Sequence, residues 1–392
     1  MAQYAKKAPQ TKGPRALGVL ELAANGKAHL VPVTIMIDGR FYDAAAYKAD
    51  PVPMALQRDT VYEAMKAGDS EGLFTVSGAL HNKDGWIGDG KWQSNAQIEA
   101  DKAKRKSEQE KLAQKAPEVE QGPPKLKRGP PTADQSPTAP QQVPAEKPVP
   151  SDKNPPAPSV SQNKGPESTA PSSDADPNRP ILRRQPVSET AHEQTKAGNE
   201  TEPLSGPIEL IPAISDAGGP EPRPYAYQMK PEEEQARLKK MLAFASDEVK
   251  ARASKAEASS TTKSDKNVRA TPGVQLQNVQ MRVFDLSSSN EPVLVLTGNA
   301  KVPSSSRDVE YMTAVVARED IYGDLHKVFA DTTDNQHLDV LPRYELIDAV
   351  DADGDGRGEL LFRMSWDNGS AFSVYRVIGD RLWPLFEGKP GT

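Results

Sequence analysis

Asp351, Asp353, Asp355 and Glu359 occupy positions 1, 3, 5 and 9 of the run Asp351-Ala-Asp-Gly-Asp-Gly-Arg-Gly-Glu359, whose sixth residue is Gly356. Carboxylate oxygens are hard ligands, and a loop that presents them at this spacing wraps a calcium ion. The glycine permits the sharp turn, and the carbonyl of Arg357 at position 7 completes the set. The expected metal ligands are therefore Asp351, Asp353, Asp355, Arg357 and Glu359, around a Ca2+ ion. An EF-hand also needs an acidic side chain at position 12, and that position is Phe362 inside an apolar run. A single loop of this kind should bind calcium in the range of extracellular modules, ~10⁻⁴ to 10⁻³ M. Solvated Asx turns are the competing reading of the same aspartates.

The flanking segments, Tyr344-Glu-Leu-Ile-Asp-Ala-Val350 and Glu359-Leu-Leu-Phe362, read as strands rather than helices. With them, the segment 344–366 resembles the calcium loop of FG-GAP or integrin-type repeats. The resemblance implies a loop joining two strands of a blade, with the ion chiefly structural. It departs from the family in placing Glu359 where Asp is usual and in lacking a Phe-Gly…Gly-Ala-Pro signature. A fainter copy lies 66 residues earlier, Phe284-Asp-Leu-Ser-Ser-Ser-Asn290 followed by Val293-Leu-Val-Leu296. Aligning Asp285 with Asp351 puts Ser287 and Ser289 at carboxylate positions, as in a repeat that keeps the turn and loses the ion.

Other chemistry is sparse. The chain has no cysteine, which removes thiolate nucleophiles and Cys-based metal sites. Ser260-Thr-Thr-Lys263 matches a serine acyl-enzyme motif but sits in low-complexity sequence that cannot hold the geometry. The five histidines, His29, His81, His192, His326 and His337, form no metal-binding pair, and His337-Leu-Asp339 is the nearest to an acid/base arrangement. No catalytic or cofactor-binding residues are assigned. Trp86 and Trp92 share strand parity and could form an aromatic platform, although core packing is the commoner role. Asn199-Glu-Thr201 and Asn368-Gly-Ser370 are glycosylation sequons only along a secretory route.

These residues must be positioned by a mainly β chain. Asn25-Gly26 and Asp38-Gly39 separate the apolar runs Arg15–Leu22, His29–Ile37 and Arg40–Ala44, which predicts a three-stranded meander. Thr60-Val-Tyr-Glu63 reads as a capping box opening a short helix before Gly68. Strands at Leu73–Leu80 and Trp86–Trp92 follow. Three strands, a helix and two strands is the order of a small oligonucleotide- or oligosaccharide-binding barrel, over residues 12 to 94. Residues 272 to 388 predict eight short strands, an antiparallel β module.

Between them, residues 95 to 271 form a long linker expected to be disordered. Of the 36 prolines, 25 lie from Pro117 to Pro231, and such composition cannot bury enough apolar surface to offset the entropy of ordering. The exception is an amphipathic helix at about 231 to 250, with Leu238, Met241, Leu242, Ala245 and Val249 on one face. It is expected to dock within the chain or on a partner.

Residues 1–100 carry 11 basic and 11 acidic side chains, whereas residues 276–392 carry 11 and 19. Neither module has the basic surplus that favours nucleic acid. No run reaches the length of a membrane span, and no apolar stretch follows Lys6-Lys7 as a signal peptide would require. The default expectation is a cytoplasmic protein, with an extracytoplasmic one as the alternative. Taken together, the residues predict a non-catalytic binding or scaffolding protein, for a protein or glycan ligand, with a structural calcium loop. A hydrolase whose site sequence cannot assemble, and a cell-envelope spacer, are the alternatives.

Overall fold

A computed structural model describes residues 13–83, 85–115, 204–215, 221–260, 274–303 and 308–390. The N-terminal module begins with β1 (Arg15–Ala23), β2 (Ala28–Ile37) and β3 (Arg40–Asp43). Asp38 and Gly39 both take positive φ, 50° and 76°, and Ile37 pairs with Arg40 across them. This is the two-residue reversal that the Asp-Gly signal predicts, because its twist matches that of the strands.

The capping-box helix does not form. Val61–Lys66 is instead a strand, β4, followed by β5 (Asp69–Asn82) and β6 (Gly85–Ser94). Tyr62 and Ala64 are fully buried while Val61 is exposed, so period-two burial prevails over a four-residue helix signal. The linker is also not without fold. Asn95–Lys115 is a helix, α1, and Ile208–Ile214 is a strand, β7. β7 lies between β1 and β4, antiparallel to both. Since β1 also pairs with β2, the order β1-β7-β4-β5-β6-β2 closes on itself, and β3 extends from β2. The barrel is thus six-stranded, and its sixth strand comes from residues far outside 12–94. The rest of the expected linker, residues 116–203 with Asn199-Glu-Thr201 and His192, lies outside the described residues, as do Thr261, Thr262 and Lys263 of the acyl-enzyme motif.

The C-terminal module has two antiparallel four-stranded meanders. The first is β8 (Leu276–Phe284), β9 (Val293–Pro303), β10 (Asp308–Glu319) and β11 (Leu325–Asp334). The second is β12 (Arg343–Val350), β13 (Glu359–Trp366), β14 (Gly369–Ile378) and β15 (Arg381–Glu387). Phe284, Val293, Val295 and Val316 of one sheet pack on Ala349, Leu360, Phe362 and Tyr375 of the other. Helix α2 (Pro231–Ser260) covers the opposite face of the first sheet, with Met241 and Ala245 against Leu294, Leu296, Val315 and Ala317.

The modules are not held apart. Leu17, Val19, Val33, Met65 and Ile214 of the barrel form one cluster with Val350, Ala352, Leu361 and Val374. The sheet β12–β15 is therefore buried on both faces. That explains the unbroken apolar run Leu360-Leu361-Phe362, whose neighbours point alternately to the meander β8–β11 and to the barrel.

The repeat at 66 residues is structural. Val350 pairs with Glu359 across the acidic loop, and Phe284 pairs with Val293 across its faint copy. Gly354 and Gly356 take φ of 72° and 86°, and the aligned Ser288 and Asn290 take 56° and 59°. The copy keeps the left-handed turns on residues that adopt them at a cost, with Asn the more tolerant of the two. Where the first loop buries Glu359, the copy buries Val293.

The β10–β11 turn supplies a pH-dependent feature. The Asp320 carboxyl is held down at about 2 by its bond to His326 Nε2 (2.9 Å), assisted by the N–H groups of Asp324 and Tyr322. A depressed carboxyl contributes stability that is present above its unfolded value near 3.8 and is lost as pH falls through 2. A carbon-detected NMR titration should place the Asp320 midpoint near 2, and His326→Ala should move it up toward 3.8. A wild-type midpoint at 3.8 would refute the pairing.

Candidate functional site

The acidic loop joins β12 to β13 and is built on Asp351. Its Oδ1 accepts the N–H groups of Gly354 (2.6 Å) and Asp355 (3.2 Å), and its Oδ2 accepts that of Gly356 (2.9 Å). Three donors on one carboxylate fold the chain back on itself, which the positive φ of both glycines permits. Asp353 Oδ1 accepts from Asp355 N–H (3.1 Å), and Asp355 Oδ1 from Arg357 N–H (2.8 Å). Glu359 closes the loop, its Oε2 accepting the N–H of Ala352 at 2.7 Å.

Of the expected ligands, Asp351, Asp353 and Glu359 converge, each with a carboxylate oxygen within 4.8 Å of the others. Asp355 stands outside that group. The point of convergence has a cation of the chain's own. Arg376 of β14 places Nη2 at 3.0 Å from Asp353 Oδ2, Nη1 at 3.0 Å from Asp355 Oδ2, and Nε at 2.8 Å from Glu359 Oε1. Its Nη2 also bonds to Glu359 Oε1. One planar guanidinium thus spans three carboxylates, a task suited to its fixed fork of donors.

Burial dominates the electrostatics. Glu359 is fully buried, and desolvation raises its carboxyl against the opposing pull of Arg376 and of Ala352 N–H. Desolvation likewise raises Asp351, opposed by Arg15 and by the N–H groups of Gly356 and Gly354. Burial pulls Arg376 down, but the Glu359, Asp353 and Asp355 carboxylates outweigh it and hold the guanidinium above its usual range.

The loop is also the seam between the modules. Arg15 of β1 donates from Nη2 to the Asp351 carbonyl at 2.6 Å. Arg223 donates from Nε to the Gly356 carbonyl (3.1 Å) and from Nη1 to that of Asp285 (3.2 Å), gripping both copies of the loop. Gly358 N–H donates to the Leu286 carbonyl at 2.8 Å, so the copies also bond to each other. Nearby, Asp348 accepts from Ala67 N–H of the barrel (2.9 Å) and from Arg282 Nη2 (2.5 Å).

Arg376, Arg15, Arg223 and Arg282 lie far along the chain from the acidic loop's spacing pattern or outside it, and that pattern specifies ligands and not counter-charges. For Arg376 a signal existed: a lone charge inside the apolar run Phe372-Ser-Val-Tyr-Arg-Val-Ile378, since such a residue needs a buried partner.

The other candidates have local partners. His337 bonds through Nδ1 to Asp334 (2.5 Å), not to Asp339, and Asp334 also receives Arg252 of α2. His326 pairs with Asp320, and His81 packs edge-on against Trp86. Trp86 and Trp92 pack on the barrel core. Among the described residues, no helix is long and apolar enough to cross a membrane. Comparison with protein-family models, curated proteins and solved structures returned no match.

Proposed function

We propose that the chain is a non-catalytic binding or scaffolding protein whose acidic loop is a structural, cation-braced corner joining the two modules. The observation that carries this reading is that the loop's carboxylates are committed to backbone N–H groups and to Arg376. A catalytic carboxylate needs a free oxygen within reach of substrate, whereas these set the shape of a turn.

Calcium enters the same reading as a competitor. The donor set suits a hard cation, but Ca2+ would need the oxygens of Asp353 and Glu359 that now bond to Arg376. Ion and guanidinium therefore exclude each other, and calcium would brace the corner only with Arg376 withdrawn. The test is calorimetric titration of the full chain and of Arg376→Gln with calcium. The wild type is expected to bind no tighter than ~10⁻³ M, and removal of the guanidinium to tighten binding at least tenfold. Absence of heat from both proteins at millimolar calcium would eliminate calcium and leave Arg376 as the sole brace.

A further inference from the structure

The chain has two Asn-Gly pairs, Asn25-Gly26 between β1 and β2 and Asn368-Gly369 between β13 and β14, both in exposed turns. An asparagine followed by glycine can react with itself. The Cγ carbon of the side chain and the next backbone nitrogen close a five-membered ring when they bond, and an intramolecular attack of this kind gains from proximity. Glycine leaves that nitrogen uncovered, because it has no Cβ, and it permits the backbone rotation that the approach requires.

The two turns differ in what holds the reacting atoms. Asn25 is tied at both ends of its amide, with Oδ1 accepting Lys27 N–H at 3.0 Å and Nδ2 donating to Ser205 Oγ at 3.4 Å. The nitrogen that would attack it is also committed, since Gly26 N–H donates to the Ala23 carbonyl at 2.9 Å. Asn368 is exposed, and its side chain forms no hydrogen bond with another described residue. Asp367 and Asn368 are the whole loop between the paired residues Trp366 and Gly369, the last rung of the β13–β14 ladder. A rung at the end of a ladder opens most easily. Gly369 itself is fixed by the fold, because its φ of 151° is one that other residues rarely adopt. The hairpin therefore demands the residue that makes Asn368 reactive.

We propose that Asn368-Gly369 is a self-modification site, at which the asparagine converts through a cyclic imide to aspartate and isoaspartate. The Gly369 nitrogen gives its proton to water and bonds to Asn368 Cγ. The Cγ–Nδ2 bond breaks, and ammonia leaves with a proton taken from water. A water molecule then adds to one of the two ring carbonyls. Opening at Cγ yields aspartate, whereas opening at the main-chain carbonyl yields isoaspartate, whose backbone runs through the former side chain. The net change exchanges ammonia for water and needs no oxidant or reductant. The isoaspartyl product adds a backbone carbon to a two-residue loop and sets a new carboxylate beside Asp367, whose N–H donates to the Leu338 carbonyl at 3.1 Å. The site takes no part in the acidic loop, so calcium binding and this reaction stand or fall separately.

The experiment incubates the full chain in mildly alkaline buffer, folded and in urea, and follows both asparagines by peptide mapping with mass spectrometry. In urea the two pairs should convert at similar rates, because the chemistry is local. In the folded chain Asn368 should convert at least ~tenfold faster than Asn25, whose hydrogen bonds must break first. Aspartate and isoaspartate should both appear at position 368. Equal rates at the two sites in the folded chain would overturn the proposal. So would a folded Asn368 that stays intact while the unfolded one converts, or aspartate as the sole product, which marks direct hydrolysis of the amide. All of these comparisons use the wild-type chain, so none depends on a variant that must fold.

Discussion

Replacing Arg376 with alanine should lower the stability of the protein by about 3 to 5 kcal/mol, the cost of removing one partner from a buried ion pair. Glu359 is fully buried and the Arg376 side chain only 15% exposed, so water cannot take over the lost bonds. Against a total of about 5 to 15 kcal/mol for a folded protein, that is a large fraction. At roughly 2 to 4 °C per kcal/mol for a chain of this size class, the melting temperature should fall by about 10 °C. Arg376→Lys should recover only part of the loss, because one ammonium cannot reach Asp353, Asp355 and Glu359 together. Adding Glu359→Gln to Arg376→Ala should restore some stability, since the buried charge that needed the guanidinium is gone. Thermal denaturation of the two single variants and the double variant measures the coupling, expected at ~1 to 3 kcal/mol. Strict additivity would show that Arg376 and Glu359 do not act as a pair.

The coupling bears on what a metal-loop pattern means. The spacing of Asp351, Asp353, Asp355 and Glu359 reports how a loop can turn back on its own N–H groups, with or without an ion. Its copy at Asp285–Asn290 keeps Asp285 and preserves the turns at Ser288 and Asn290, although the carboxylates at the positions of Asp353, Asp355 and Glu359 have gone. In that copy Val293 replaces Glu359 and packs in the core between the sheets. A buried glutamate needs a cation, and a buried valine needs none. Burial of residue 359 and the presence of Arg376 are thus one event, and it arises from pairing β13 with β14, a strand that lies outside the loop's local pattern.

The same division between local and remote separates what was legible in the sequence from what was not. Asp38-Gly39 and the loop glycines announce their turns because φ is a local property. The eight C-terminal strands are announced by regular spacing, although the apolar pattern suggests a strand from Ile321 to Phe329 and β11 begins at Leu325, with Ile321 and Tyr322 exposed in the turn. Val61–Lys66 misleads because its capping box is local while its strand partners, β5 and β7, are not. β7 is the extreme case. Seven residues, Ile-Glu-Leu-Ile-Pro-Ala-Ile, stand among prolines, and Pro212 within them argues against a paired strand. The strand forms because β1 and β4 leave a gap that it fills.

That origin makes β7 a point where one substitution should open the barrel. Ala213 is fully buried, opposite Gly18 of β1 and Ala64 of β4. It belongs to the cluster that holds Leu20, Tyr62 and Phe74. In Ala213→Asp a carboxylate would enter that cluster without a cationic partner, at an effective cost of several kcal/mol. It would also enlarge a side chain that is fully buried in a packed core. The chain can avoid both costs by releasing β7, which returns the amides of β1 and β4 to water. Hydrogen exchange should then show lost protection in Leu17–Ala23 and in Glu63–Ala64, the segments paired with it. Glu209→Gln provides the contrast on the same strand. Its bridge to Lys66 is 2.8 Å long, but both side chains are about half exposed, and such pairs contribute less than ~1 kcal/mol. Protection in β1 and β4 should survive Glu209→Gln and collapse in Ala213→Asp. If it survives both, β7 is an accessory to a barrel that the first 94 residues close by themselves.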